Sequence, residues 1–244
     1  MRALAAVFLR EMLILRRRLA RQVLAMSVSP LLYVLTFGLA LGGSVAVDGR
    51  SYLEFLIPGL AAMSSMTQAF AMAGEINVAR FYLHVFEEFQ AAPIPRLSYV
   101  LGEALAGVTR ALVSIAIVLA LGFLFGVRLS YGLAFWGALA LNSLAFASLA
   151  VALAMLVRSH ADQALLNNFI ITPMAFLGGT FFPLESLPGL ARAALSLLPL
   201  SHASRAARAG AFGLDPGAAP YLYLGLAAAA FMLLAIWAVA RARD

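Results

Sequence analysis

Six apolar stretches, each about long enough to cross a bilayer, dominate the chain and leave it few folds to choose from. They run over Val23–Leu41, Phe55–Gly74, a segment within Ser98–Val127 whose purely apolar part is Ala111–Val127, Tyr131–Val157, Ala164–Phe182 and Tyr221–Ala240. Inside hydrocarbon, backbone N–H and C=O groups must be satisfied within the protein, and a single apolar run manages that only as a helix. The expectation is an all-α membrane protein with six transmembrane helices and no soluble domain. Charge agrees, since 11% of the residues are charged against about 25% in a soluble domain.

All seventeen basic residues are arginine. A P-loop needs its lysine to reach nucleotide phosphates, so this polypeptide is not a conventional ATPase, and Schiff-base chemistry is excluded with it. The absence of cysteine removes disulfides, thiolate nucleophiles and thiolate metal sites. A net charge of +6 would suit nucleic acid, but the arginines flank the hydrophobic spans. Membrane orientation accounts for them better, and no nucleic-acid partner is expected. With the N-terminus inside, the inner connections hold eleven arginines and the outer ones five, Arg110 being left out because it sits in or near the third span. That bias predicts both termini in the cytoplasm. The chain shows no internal repeat of the kind that marks many secondary transporters.

Residues 1–22 read as an amphipathic helix on the membrane surface. Leu4, Phe8, Met12, Leu15 and Leu19 share one face, and Arg10, Arg17 and Arg21 fall nearly opposite, the pattern of an interface helix drawn to anionic lipid. The simpler alternative is a positively charged flank of the first span. The arginine cluster follows the short apolar run, the reverse of a secretory signal peptide. Near the other end, Thr172–Pro188 breaks the fifth stretch in a patterned way. Gly178 and Gly179 permit close backbone approach, while Pro183 and Pro188 forbid an uninterrupted helix. Leu184–Phe212 is too polar to span and too apolar for a free loop. It is expected to dip into or lie on one membrane face as a short re-entrant helical hairpin before the last span.

The polar stretch Glu75–Pro93 gathers Tyr82, Val85, Phe86 and Phe89 on one helix face, with Arg80, His84, Glu87 and Glu88 elsewhere. Such a helix either seats its aromatics in a groove of a partner protein or packs on the membrane surface or its own bundle. His84 shares a face with Glu87 and Glu88, but no second histidine stands nearby, and no metal is expected. Adjacent carboxylates on a helix diverge by about 100 degrees, so Glu87 and Glu88 make a poor acid/base pair and no catalytic residue is assigned. Glu75, Glu103 and Arg110 lie at or near the ends of apolar spans, where ionisable groups serve as ion pairs or line a pathway. Glu103 and Arg110 sit on one face two turns apart, too far to pair within one straight helix, and Arg110 is also placed to snorkel to the surface. Asn142, Asn167, Asn168 and Thr172 in apolar helices either bond between helices or line a polar path.

Taken in order, these pieces resemble one family. They are the arginine-rich start, Ser29-Pro-Leu-Leu-Tyr33 leading to Phe37-Gly-Leu-Ala-Leu-Gly42, Phe55-Leu-Ile-Pro-Gly59, and Glu87 six residues before Pro93. Val100-Leu-Gly-Glu103, Ala145-Phe-Ala-Ser148, the 172–188 segment and Leu198-Pro-Leu-Ser-His202 follow. Together they are similar to the membrane subunits of ABC-2 type transporters, and within these to the branch that contains the nodulation lipo-oligosaccharide export permease. The resemblance covers essentially the whole chain.

The resemblance implies a single transmembrane domain over 1–244, with an interface helix at 1–22, a coupling helix at 78–92 and an outer hairpin at 184–213. It implies a multi-pass protein of the bacterial inner membrane that pairs with a second copy of itself and with two copies of an ABC ATPase. ATP and Mg would be bound by that partner, so this chain is a transport subunit with no cofactor of its own and no enzyme activity. Its substrate would be amphipathic, lipid- or glycan-like. The residues carried over for ATPase coupling are Arg80, His84, Phe86, Glu87, Glu88 and Phe89. Candidates for the pathway and its gate are Glu75, Glu103, Arg110, Asn168, Phe181, Phe182, His202 and Arg208, with the first, second and fifth spans as the expected lining. Two departures stand out. Arg205 occupies a position that is often acidic in relatives, with Arg208 kept, which gathers positive charge on the outer side. The coupling segment has Phe81-Tyr-Leu-His84 where glycine and basic residues are usual, which points to a dedicated ATPase partner. Two other classes stay open: an ion-coupled secondary transporter working through Glu75, Glu103 and Arg110, and a membrane scaffold without transport.

Overall fold

The computed structural model describes residues 2–41, 46–47, 49–83, 94–157 and 159–242. The chain is almost wholly helical. Among the described residues five helices are long and apolar enough to cross a membrane: Arg2–Gly38, Tyr52–Phe81, Arg96–Leu124, Leu133–Leu156 and Ala219–Arg241. The first belongs to α1 (Arg2–Leu41), which runs unbroken through residue 22, where an interface helix and a first span were expected to meet. Its packed face overlaps the expected stripe at Phe8, Met12 and Leu15 but is centred beside it. Val7, Glu11 and Leu15 are buried against the neighbouring helix, whereas Leu19 is 42% exposed. The apolar pattern marks the side of a helix that avoids water. In a membrane protein that side includes the lipid face, so the most apolar stripe and the packed stripe need not coincide.

A two-residue ribbon, Ala46–Val47 paired antiparallel with Arg50–Ser51, leads into α2 (Tyr52–Phe70). Ser51 and Glu54 cap that helix reciprocally, the serine hydroxyl accepting from the Glu54 N–H at 3.3 Å and the carboxylate from the Ser51 N–H at 3.0 Å. After Ala71 the path continues as α3 (Met72–Phe81). Helix α2 is buried along nearly its whole length and forms the centre of the bundle. Around it stand α4 (Arg96–Leu124), α5 (Leu133–Leu156) and the upper part of α1. Helix α4 approaches α1 closely at Gly102, where a Cβ would lie 2.7 Å from Val7 Cγ1.

The fifth apolar stretch begins and ends four to five residues earlier than expected and is built from three pieces. Helix α6 (His160–Leu166) passes into a π turn (Asn167–Ile171) and then α7 (Thr172–Leu177). Pro173 explains the widening: it has no N–H for the Phe169 carbonyl four residues back, and the ladder shifts to the carbonyl five back. The Thr172 N–H and hydroxyl both donate to the Asn167 carbonyl, the hydroxyl at 3.1 Å. Helix α7 ends at Gly178, and Gly179 takes φ +73°, a left-handed conformation suited to glycine.

A 3-10 turn (Leu184–Ser186), α8 (Gly189–Leu195) and α9 (Pro199–Ala211) follow, and then α10 (Ala219–Arg241), which lies along α5. Helix α9 is packed into the bundle against α5 and α2, with one whole side buried from Leu200 to Ala211. At Gly210 a Cβ would stand 2.6 Å from the Phe135 backbone nitrogen. Backbone cannot swing away as a side chain can, so Gly210→Ala should lower stability by about 1–3 kcal/mol. Gly225→Ala, on open surface with nothing within 4 Å of the added carbon, is the matched control and should leave the unfolding midpoint in detergent unchanged.

Candidate functional site

A cavity of about 490 Å³ opens between α1, α2 and the α6–α7 stack, with α4 contributing Ser114. Three helices of different character meet here. Helix α1 contributes Ser29, Pro30 and Tyr33, α2 contributes Met63, Thr67 and Gln68, and the α6–α7 stack contributes Gln163, Asn167 and Phe176. Most of the lining thus comes from the first, second and fifth apolar stretches, with Ser114 from the third. The widened π turn sets which asparagine faces it. Asn167 lines the cavity; Asn168, the expected pathway residue, is exposed and is not among the lining side chains.

Aromatic rings gather around Tyr33 and Phe176 of the lining. Phe181 lies 5.1 Å from Tyr33, 5.2 Å from Phe37 and 5.5 Å from Phe176, and Phe37 meets Tyr52 at 6.1 Å, all centroid distances. Offset and tilted contacts of this kind favour aromatic pairing beyond simple burial. The Tyr52 hydroxyl donates to the Phe181 carbonyl at 2.7 Å, which fixes the segment after the broken helix. Phe182 is half-buried beside it and makes no ring contact among the described residues.

Arg208 of α9 holds the same region from behind. Its Nε donates to the Phe55 carbonyl at 3.0 Å, and Nη2 donates to the carbonyls of Gly179 at 2.6 Å and Thr180 at 3.2 Å. The guanidinium also lies 3.8 Å from the Phe55 ring centroid, a cation–π contact. Gly59 makes room for it, because a Cβ there would stand 2.5 Å from Arg208 Nη2. His202, nearly two turns earlier, donates from Nε2 to the Ser196 carbonyl at 2.8 Å and stacks on Tyr223 of α10 at 4.0 Å. The carbonyl can only accept, so Nε2 carries the proton. Burial lowers the His202 pKa below its ordinary value and nearby Arg205 lowers it further, against the opposing effect of the bond to Ser196. His202 is therefore neutral at pH 7 and adds no charge to Arg205 and Arg208.

At the far end of the bundle three helices bring charges together. Arg110 on α4 is 2% exposed, so it does not snorkel. Its two Nη atoms grip both carboxylate oxygens of Glu75 on α3, and Glu11 Oε2 on α1 lies 4.0 Å away. Arg10 donates to Glu11 at 2.6 Å. Glu103 is equally buried, and its Oε2 has no hydrogen-bond partner. Glu11, Glu75, Tyr99 and Glu103 line a separate cavity of about 230 Å³. The expected separation of Glu103 from Arg110 along one helix is compatible with this arrangement, in which Arg110 turns to α3 instead. Glu11 was missed by the sequence pattern. Its signal was its place as the one acid of residues 1–22, four residues after Val7 and four before Leu15.

Arg80 on the last turn of α3 donates to the carbonyls of Ala154 at 3.1 Å and Met155 at 3.0 Å, the C-terminal end of α5, where a cation is favoured. The other expected coupling residues, His84, Phe86, Glu87, Glu88 and Phe89, lie outside the described residues. Asn142 bonds between helices, donating to the Ala62 carbonyl and the Ser65 hydroxyl at 3.2 and 2.8 Å, and Asn77 donates to Gln163 at 3.1 Å.

Known proteins are similar to this chain over most of its length. Residues 2–212 match the family model of the ABC-2 type transporter. Nodulation protein J of Rhizobium meliloti is 34% identical over 203 residues, covering 81% of this chain and 76% of the relative. Nodulation protein J of Rhizobium leguminosarum bv. viciae is 32% identical over 207 residues, with 81% and 77% covered. The inner membrane transport permease YadH of Escherichia coli is 29% identical over 187 residues, with 75% and 73% covered.

Two measurements test the geometry. Removing the partner of a buried charge leaves that charge uncompensated, so Glu75→Gln should destabilise the protein by at most roughly 3–5 kcal/mol, less because the Glu75 side chain is 39% exposed, and Glu185→Gln at an exposed position by far less. The His202 pKa is depressed in the folded state, so its contribution is fully present above the unfolded value near 6.5 and is lost as pH falls through that value. The melting temperature should drop between pH 7 and pH 5, and His202→Asn should remove part of that drop.

Proposed function

The chain belongs to the ABC-2 type transporter family, and from that premise we propose that it forms half of an ATP-driven export path for an amphipathic, lipid- or glycan-like substrate. The observation that carries this reading is the cavity between α1, α2 and the α6–α7 stack, with the aromatic cluster around Phe181 packed on Tyr33 and Phe176 of its lining. A second copy of the chain completes the path. Two copies of a separate ABC ATPase bind ATP and Mg and drive it. The lack of lysine in this chain supports that division of labour, because no P-loop is available in it.

In this reading the His160–Leu177 segment is the fifth of six spans, both termini lie in the cytoplasm, and residues 184–213 are a re-entrant hairpin on the outer side. The arginine bias supports that orientation, and the relative named as an inner membrane transport permease supports the bacterial inner membrane. Phe181, Phe182, His202 and Arg208 then belong to the outer gate. Phe86 and Phe89, with Arg80, His84, Glu87 and Glu88, form the coupling surface for the ATPase. Arg80, anchored on the end of α5, ties that surface to the bundle.

The ion-coupled alternative would run through Glu75, Glu103 and Arg110. The closed pair between Arg110 and Glu75, set apart from the larger cavity, speaks for a structural part instead. Copurification from the native membrane separates the readings. An ABC ATPase should come down with the solubilised wild-type chain and be lost from the Phe86→Ala/Phe89→Ala double variant. A preparation that transports in vesicles without any nucleotide-binding partner would sink the export reading.

A further inference from the structure

The smaller cavity, between α1, α3 and α4, is lined by charge. Arg10, Glu11 and Arg18 come from α1, Glu75 from α3 and Glu103 from α4. Most of these charges are already answered within the protein. Arg10 pairs with Glu11, and Arg110 grips both carboxylate oxygens of Glu75. Two are left over. Glu103 is 2% exposed, and its Oε2 has no hydrogen-bond partner. Arg18 is exposed and makes no ion pair among the described residues. A carboxylate at that depth is costly unless a cation with N–H donors arrives to meet it. The cavity thus offers an unanswered acid at its buried side and an unanswered base at its exposed side.

Its level in the bundle says what lies outside. Helix α4 has 29 residues and is about 43 Å long, while a hydrocarbon core is about 30 Å thick. The purely apolar run of α4 begins at Ala111, and Glu103 stands roughly 12 Å before it. Tyr99 and Glu103 therefore fall at the depth of lipid headgroups. The exposed members of the lining besides Arg18 are apolar, with Val78 40% and Leu83 61% exposed and Ile14 half-buried.

We propose that this cavity holds the phosphoethanolamine head of a membrane lipid, its ammonium against Glu103, its phosphate against Arg18 and its chains leaving past Ile14, Val78 and Leu83. The order of the groups carries the assignment. In such a lipid the ammonium is the tip, the phosphate comes next and the chains last; the cavity reads acid, base and apolar surface from inside outward. A primary ammonium has three donors for the carboxylate, whereas a trimethylated one has none. A head with phosphate and no ammonium would leave Glu103 unanswered and add a second negative charge beside it. The lipid is a resident part of the fold that ties α1 to α3 and α4, and it is not cargo. The inference goes beyond the export reading and stands without it.

The test titrates the delipidated full chain in nonionic detergent with dioleoyl lipids and counts bound lipid by native mass spectrometry. One phosphatidylethanolamine per chain should be retained roughly tenfold more tightly than phosphatidylcholine or phosphatidylglycerol. Retention should fall stepwise as the ethanolamine nitrogen is methylated, a comparison that needs no variant. Glu103→Gln, which keeps the side-chain shape and removes a buried charge, should abolish the preference for ethanolamine over choline. Arg18→Ala should weaken both lipids several-fold. Soluble glycerophosphoethanolamine, which has the head without the chains, should bind at least roughly tenfold more weakly than the lipid. Equal retention of the three lipids, or a preference unmoved by Glu103→Gln, overturns the proposal. Glycerophosphoethanolamine binding as tightly as the lipid overturns it in favour of a soluble ligand. No retained lipid overturns it as well and leaves Glu103 to a basic side chain of a partner protein. Neither ATP nor transport enters the measurement, so each of these failures leaves the export reading untouched.

Discussion

A helix that ends inside a membrane protein leaves carbonyls with no helical donor and no water to replace it, and the structure depends on how that debt is met. The α6–α7 stack stops at Gly178, and Arg208 supplies donors to the carbonyls of Gly179 and Thr180. The same guanidinium holds the Phe55 carbonyl near the start of α2, so one side chain joins α9, the broken helix and the central helix. The aromatic cluster then packs on a backbone that cannot drift. Gly59 is part of this arrangement, since any larger residue would meet the guanidinium.

The opposite end uses charge differently. Arg110 and Glu75 form a two-pronged pair between α4 and α3, with Glu11 of α1 beside them. A buried pair of this kind contributes little net stability compared with well-packed apolar residues, but it penalises every arrangement in which one partner is left alone. It therefore fixes how three helices sit against one another. Arg80 does the same for α3 and the end of α5. Between these two anchored ends lies the larger cavity, with no aspartate, glutamate or arginine among the described residues of its lining.

Much of this was legible in the residues. The long apolar helices and the break at Gly178–Gly179 follow from hydropathy and from glycine and proline placement. The special position of Glu75, Glu103 and Arg110 was visible because charges in apolar helices are rare. Their partners were not. Arg110 pairs with a residue thirty-five positions away, and Glu11 was hidden within a helix read for its leucines and arginines. The register of Asn167 against Asn168 was also beyond the sequence pattern, because a π turn adds one residue to the helical period.

Sequence alone determined that the chain is a set of apolar membrane helices and that the fifth breaks at Gly178–Gly179, because those depend on local apolarity and backbone freedom. Tertiary structure decided which face of α1 packs inward, which acid holds Arg110, which carbonyls Arg208 satisfies, and that Glu103 Oε2 is left without a partner. In a membrane both lipid-facing and packed surfaces are apolar, so hydropathy cannot tell them apart. Only the distances between side chains on different helices do.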